Sequence, residues 1–294
     1  MAIMNQSTFE KFIGVDWSGA RYPKNLAVAV CEPGMSVPKP EAKYWRRDTL
    51  VNWIAEEANQ RRILVGVDFA FAYPYCEHGA YFPNHPKSPE SVVDLWQTVD
   101  NICRDERYFY GGPFYQNRAS PFSSYFCYRR PTGSHFDNNR LRKTERACAA
   151  FGHNTRPTCV FKCVGPDQVG AGSAAGMRAL HFLTTNHHKT ISIWPFDSLS
   201  RSKSIVVEIF PRLFFAITGE DSRHWQDDGI VNAVLRYFGS EPLAGNITRY
   251  TEDEVDAIIS AAALRNLSSR PEVWRPLGLD KETQRSEGWI FGCM

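Results

Sequence analysis

The sequence predicts an α/β fold built on a partly parallel sheet, and three observations predict it. Short apolar runs at 12–16 (FIGVD), 26–31 (LAVAVC) and 42–45 (AKYW), with Gly and Pro in the first connection, read as a meander. The segment 63–74 (ILVGVDFAFAYP) is apolar almost without alternation, the pattern of a strand buried on both faces. TISIWPF (190–196) and SIVVEIF (204–210) then precede helical patterns near 211–218, 228–238 and 251–266, so strands and helices alternate.

The remaining elements follow from local signals. DTLVNWIAEEANQRR, with apolar residues at 50, 51, 53, 54 and 58, predicts a helix after the meander, with Asp48 as its N-cap. From 75 to 186 the pattern turns irregular, rich in Pro and aromatics, with helices expected near 89–103, 139–151 and, after a Gly-rich turn, 173–186. This stretch reads as an insertion after the fourth strand of a single domain spanning 1–294, since no linker divides the chain.

Composition sets the class. At 43% hydrophobic and 22% charged the chain has the make-up of a globular protein with a sizeable core, which excludes disorder and coiled coil. The opening MAIMNQSTFEKF lacks the basic start and apolar stretch of a signal peptide, and no run of about 18 apolar residues occurs. A soluble, cytoplasmic protein with no membrane partner is expected. Eight scattered Cys indicate neither a disulfide framework nor a zinc site, and the spacing of Cys159 and Cys163 fits two core thiols.

The net charge of +2 is unevenly placed. Residues 101–160 hold ten Arg or Lys against four Asp or Glu, a local charge of +6, and the rest of the chain carries −4. Eleven Phe or Tyr share that window. Arg interleaved with aromatics makes a surface that binds phosphates and stacks bases, or an aromatic-packed segment with a solvated basic face.

Three apolar strands are each interrupted by one acid: Asp16 in FIGVDW, Asp68 in ILVGVDFAF and Glu208 in SIVVEIF. An isolated carboxylate there is costly unless a cation, a donor cluster or a raised pKa accommodates it. Asp253 and Asp256, three residues apart near the start of a helix, are neighbours on its surface, and Asp256 flanks the stripe of Val255, Ile258, Ile259 and Ala262. Carboxylates converging without His or Cys are the ligand set of Mg²⁺ or Mn²⁺. Each acid also has a structural alternative. The helix dipole favours Glu252 and Asp253, Asp16 suits a turn onto the Ser18-Gly19 backbone, and Glu208 suits a strand-end acid that caps a helix or pairs with an arginine.

The set IGVDWSGA, VGVDFAFAYP, QVGAGSAAG, ISIWPFD, VVEIFP, DEVDAIISAAAL and EGWIFG, in order over nearly the whole chain, resembles the domain-of-unknown-function 429 family, regarded as a nuclease group with a ribonuclease H-like fold. The resemblance implies a mixed five-stranded sheet flanked by helices, with three antiparallel strands first. It also implies that Asp16, Asp68, Glu208 and Asp256 occupy the acidic catalytic and metal positions, with Asp253 as a further metal ligand. The chemistry so implied is two-metal hydrolysis of a phosphodiester in a nucleic acid or nucleotide, with ions about 3.5–4 Å apart. Ser18 and Gly19 would let a substrate backbone approach Asp16. Arg129, Arg130, Arg140, Arg142, Lys143, Lys203 and Arg212 are candidate phosphate contacts.

Other motifs carry less. VGAGSAAG (169–176) lacks the strand and acid of a dinucleotide loop and the Lys-Ser/Thr of a Walker sequence, and reads as a turn into a helix whose N–H groups are free for a phosphate. Asp167 and Asp197 follow motif segments and are outer candidates for the acid site. His187-His188 and Cys76-Glu77-His78 have no partner at metal spacing. Two rival functions stand beside a nuclease: a non-catalytic nucleic-acid-binding module with structural acids, and an actin-like ATP-dependent phosphotransferase, which normally needs a second copy of the core. Hydrolysis of a small phosphoester under an aromatic lid is a third.

Overall fold

The computed structural model describes residues 9–22, 26–129, 131–152, 155–165 and 168–294. β1 (Lys11–Asp16) and β2 (Ala27–Cys31) run antiparallel with Ile13 opposite Val30, and β3 (Lys39–Pro40) pairs with the outer side of β2. The third strand therefore lies ahead of the expected 42–45. Trp45 explains the shift: it is buried against Trp53, with ring centroids 4.9 Å apart, and anchors the start of helix α1 (Arg47–Gln60) rather than a strand. Asp48 falls in the first turn of α1, paired with Arg46 at 3.1 Å, and Arg46 occupies the N-cap.

β4 (Ile63–Val67) is parallel to β1, while β5 (Ile191–Ile193) and β6 (Ser204–Glu208) complete the order β3-β2-β1-β4-β6-β5. β4, β6 and β5 pair in parallel, so the sheet is mixed, with six strands in place of the five implied by the resemblance. The long apolar run at 63–74 leaves the sheet at Val67, whose carbonyl accepts from the N–H groups of both Phe69 and Ile209. Its remaining rings, Phe69, Phe71 and Tyr73, are buried in a loop. Burial without alternation therefore came from two different structures.

Ile13, Val15, Val28, Val30, Val65 and Val67 point to one face of the sheet. That face is covered by α1, α2 (Val92–Ile102) and α5 (Gly170–His187), with α3 (Gly112–Gln116) and α4 (Lys143–Cys148) in the chain between them. The segment expected as an insertion is a wall of this core. Tyr73 stacks on Phe161 at 4.9 Å, and Phe82 and Phe126 close the ring cluster at 6.3 Å. Most of the window's Phe residues are thereby spent on packing.

Phe12, Ala27, Ala29, Leu64, Ile205 and Val207 point to the other face, beneath α6 (Pro211–Ile217), α7 (Asp228–Tyr237) and α8 (Glu252–Leu267). Two short helices, α9 (Pro271–Trp274) and α10 (Lys281–Ser286), follow. Gly14 and Gly66 are register partners on β1 and β4, and α8 lies directly on Gly14. A Cβ on Gly14 would stand 2.3 Å from the Ala257 carbonyl oxygen and 2.8 Å from the Ala261 nitrogen. Strand glycine and helix alanine thus bring backbone against backbone, which brings the first turns of α8 to the end of β1. Gly14→Val is expected to cost about 3 kcal/mol by overpacking and to lift α8 from the sheet. A thermal midpoint equal to that of the parent would refute this contact. No helix among the described residues is long and apolar enough to cross a membrane.

Candidate active site at the carboxyl ends of β1 and β4

Asp16 is the last residue of β1, Asp68 follows β4 directly, and Glu208 ends β6. Because these strands are parallel, all three acids emerge at one edge of the sheet. α8 starts there too, capped by Thr251, whose side chain accepts from the Glu254 N–H while Glu254 reaches back to the Thr251 N–H at 2.8 Å. Its first two turns present Asp253, exposed, and Asp256, half-buried.

Register separates Glu208 from the others. It pairs with Val67, which pairs with Val15, so it shares their face, while Asp16 is one residue further along and turns to the side of Gly14 and α8. On its own side Glu208 meets Arg142, whose Nη2 lies 2.5 Å from one carboxylate oxygen and Nη1 2.8 Å from the other. The Phe71 N–H donates to it as well, at 2.9 Å. Arg142 is 1% exposed and also pairs with Glu145 at 2.9 Å. The alternative reading of Glu208 as an arginine-paired strand-end acid therefore describes it, with the Arg142 cation shared between Glu208 and Glu145.

Asp16, Asp68 and Asp256 have no such balance. Burial pushes the Asp16 carboxyl well above the ordinary carboxylate range, and the charges of Asp68, Asp253 and Asp256 push it further, with the Asp253 carboxyl in hydrogen-bonding reach. Burial and then the Glu208 charge raise Asp68 to about 7, against a lowering influence from Arg212. Asp256 is raised by burial, then by Asp68 and Glu252, again opposed by Arg212. Burial raises all three, and the Asp68 charge adds to the rise at Asp16 and Asp256, so positive charge is short here.

Two cavities open on this edge. One, of about 190 Å³, is lined by Asp68, Asp256, Glu208, Arg212, Arg156 and Gln168 among others. The second, of about 450 Å³, has Asp16, Asp253, Ser18, Gly19 and the first turn of α5 in its wall. Gln168 borders both. The sequence gives no role to Arg156, and Gln168 enters it only as the first residue of QVGAGSAAG; both lie in irregular segments where only the fold reveals their neighbours.

The remaining predicted contacts divide sharply. Gly19 does not open a path to Asp16: a Cβ there would meet the Ala171 backbone at 2.2 Å, so its absence lets α5 close in. Ser18 holds the turn, its hydroxyl accepting from the Ala20 N–H and its carbonyl from Arg47 at 2.7 Å. Arg140 is buried and donates to the carbonyls of Tyr81, Pro74 and Ala80, and Arg142, which borders the first cavity, is held by Glu208 and Glu145 as above. Lys143 pairs with Asp280 at 2.7 Å, Lys203 donates to the His188 carbonyl, and Asp197 accepts from the Ile193 N–H. Arg212 lines the first cavity, and Arg129 lines a third. Arg130 and Asp167 lie outside the described residues.

All eight Cys are free thiols, Cys159 and Cys163 both buried. Among the described residues no three His, Cys, Asp or Glu side chains stand close enough together to hold a metal ion as placed. The donors at this edge are carboxylate oxygens, the ligand type of a hard divalent cation, with Asp68 and Asp256 on the first cavity and Asp16 and Asp253 on the second. Comparison of the chain with protein-family models, with curated proteins and with solved structures gives no match.

Proposed function

We propose that the protein is a metal-dependent phosphodiesterase of ribonuclease H-like type, acting on a nucleic acid or nucleotide. One observation carries the reading: Asp16, Asp68 and Asp256, from two parallel strand ends and a helix start, are desolvated beside open cavities, with the Asp68 charge raising the pKa of both Asp16 and Asp256. Desolvated acids beside a like charge are costly, and a divalent cation would relieve that cost. The sheet order, with an antiparallel meander joined to parallel strands through β1, supports the same reading. Asp16, Asp68 and Asp256, with Asp253, would hold Mg²⁺ or Mn²⁺, which supplies Lewis acidity and a water activated near neutral pH. Arg212 lies within influence of Asp68 and Asp256 and would orient a phosphate against them. Glu208 positions the Phe71 loop and Arg142 rather than a substrate.

Calorimetric titration with Mn²⁺ tests this. Saturable binding in the parent that is lost in Asp16→Asn and Asp68→Asn, with divalent-dependent cleavage of labelled RNA or DNA, is the expected result. Absence of binding, with both variants melting below the parent, would make the acids structural and end the proposal.

A further inference from the structure

The third cavity, of about 230 Å³, does not belong to the acid site, yet it adjoins it: Tyr115 and Tyr128 line both this cavity and the one that contains Asp16. Its chemistry is of the opposite sign. Arg118 and Arg129 face it with the hydroxyls of Ser123, Ser124 and Ser134, and no acidic residue is among its described lining. Most cations of the surrounding segment are spent internally, but these two are available. Arg118 is exposed and makes no hydrogen bond or ion pair among the described residues, and Arg129 has a single 3.5 Å contact to the Gln116 carbonyl.

The aromatic groups between the cavities are set for a flat ligand. Tyr115 is buried and its hydroxyl accepts from Gln116 at 3.3 Å, which also holds the Tyr110 hydroxyl at 2.8 Å. Tyr128 stands edge-on to Tyr115 at 5.4 Å and remains partly exposed. The cavity is also built in advance. Gly133 sits where a Cβ would strike the Ser124 backbone at 2.1 Å, and the His135 N–H donates to the Ser124 carbonyl at 2.9 Å.

We propose that the three cavities form one track for a single-stranded nucleic acid, with Arg118 and Arg129 holding backbone phosphates and Tyr128 stacking a base upstream or downstream of the acid cluster. The inference rests on the phosphodiesterase reading for what happens at Asp16, and adds to it a substrate class and a distal subsite. A polymer is indicated because positive charge and stacking surface lie beyond the acid site, where a mononucleotide bound at the acids has nothing to contact. A single strand is indicated because cavities of about 450 and 230 Å³, the one within and the other below the range of small-ligand pockets, have room for parts of a single chain and not for a duplex.

The test is fluorescence anisotropy of a labelled single-stranded oligonucleotide of about 12 nucleotides, in chelator, with a blunt duplex, a mononucleotide and a phosphopeptide as competitors. Arg118→Ala with Arg129→Ala is expected to weaken binding at least tenfold and to lower the slope of log affinity against log salt by about 1–2. Tyr128→Ala should weaken it roughly tenfold while Tyr128→Phe should not. All three positions are at least partly exposed, and thermal melts equal to the parent's establish that the variants fold. Equal binding of the duplex, better competition by the mononucleotide or phosphopeptide, or variants with unchanged affinity and salt slope would overturn the track. Because binding is read without metal, loss of the hydrolysis reading leaves this result standing. Metal-dependent cleavage with mononucleotide-only binding would overturn the track alone.

Discussion

Arg142→Met is expected to lower folding stability by about 3–5 kcal/mol, read as a fall in the urea midpoint at unchanged slope. The reason is what it leaves behind. Glu208 is 2% exposed and Glu145 is 2% exposed, and both carboxylates face the same guanidinium. Burial by itself would lower the Arg142 pKa, but Glu208 and Glu145 more than offset this and raise it, so the cation is firmly charged. Removing it strands two buried anions. Glu208→Gln added to Arg142→Met should return part of the loss, because it removes one of them. A single variant within about 1 kcal/mol of the parent would show that solvent or another cation reaches these acids.

The second large effect has the opposite sign. Asp68 is raised to about 7 in the folded chain against an ordinary aspartate value of 3.8, so the folded state holds its proton more tightly. Its contribution to stability is therefore fully present below about pH 4 and is lost as pH rises through 7. In chelator, Asp68→Asn should match the parent at pH 4 and exceed it at pH 8, by up to about 4 kcal/mol. Asp16 and Asp256 are raised by burial in the same direction and should reproduce the trend as asparagines. The quantity to plot is the difference in thermal midpoint, variant minus parent, from pH 4 to 9. A difference independent of pH would mean that the Asp68 carboxyl is not desolvated, and a negative one at pH 8 that the charge is needed by the fold.

The acids are legible in the sequence because a carboxylate inside an apolar strand has few cheap explanations, and all five named, Asp16, Asp68, Glu208, Asp253 and Asp256, lie at one edge of the sheet. Glu208 is legible as a strand-end acid but not as Arg142's partner, since 66 positions of chain, with α4, α5 and β5 among them, separate the two. Parity along β6 sets it on the face of Val67, and that required the register. The basic window resisted reading for a related reason. Arg118 and Arg140 look alike in a sequence, and only tertiary neighbours decide that one is free and the other is bound to three carbonyls. The 75–186 segment looked like an addition because buried loops have no period, although its rings complete the core.

Glu208 and Glu287 have one more consequence. Their carboxylates accept from backbone amides of loops: Phe71 on Glu208, and Tyr75, Cys76 and Lys143 on Glu287. Loop amides ordinarily trade their protons with water in brief local openings. These four are held back, because each is tied to an acid anchored either on β6 or, through the Phe291 N–H on the Glu208 carbonyl, to the segment that borders it. In deuterium the amides of Phe71, Tyr75, Cys76 and Lys143 should therefore exchange as slowly as those of β4 and β6, making parts of a stretch without regular structure belong to the slowest-opening unit of the protein.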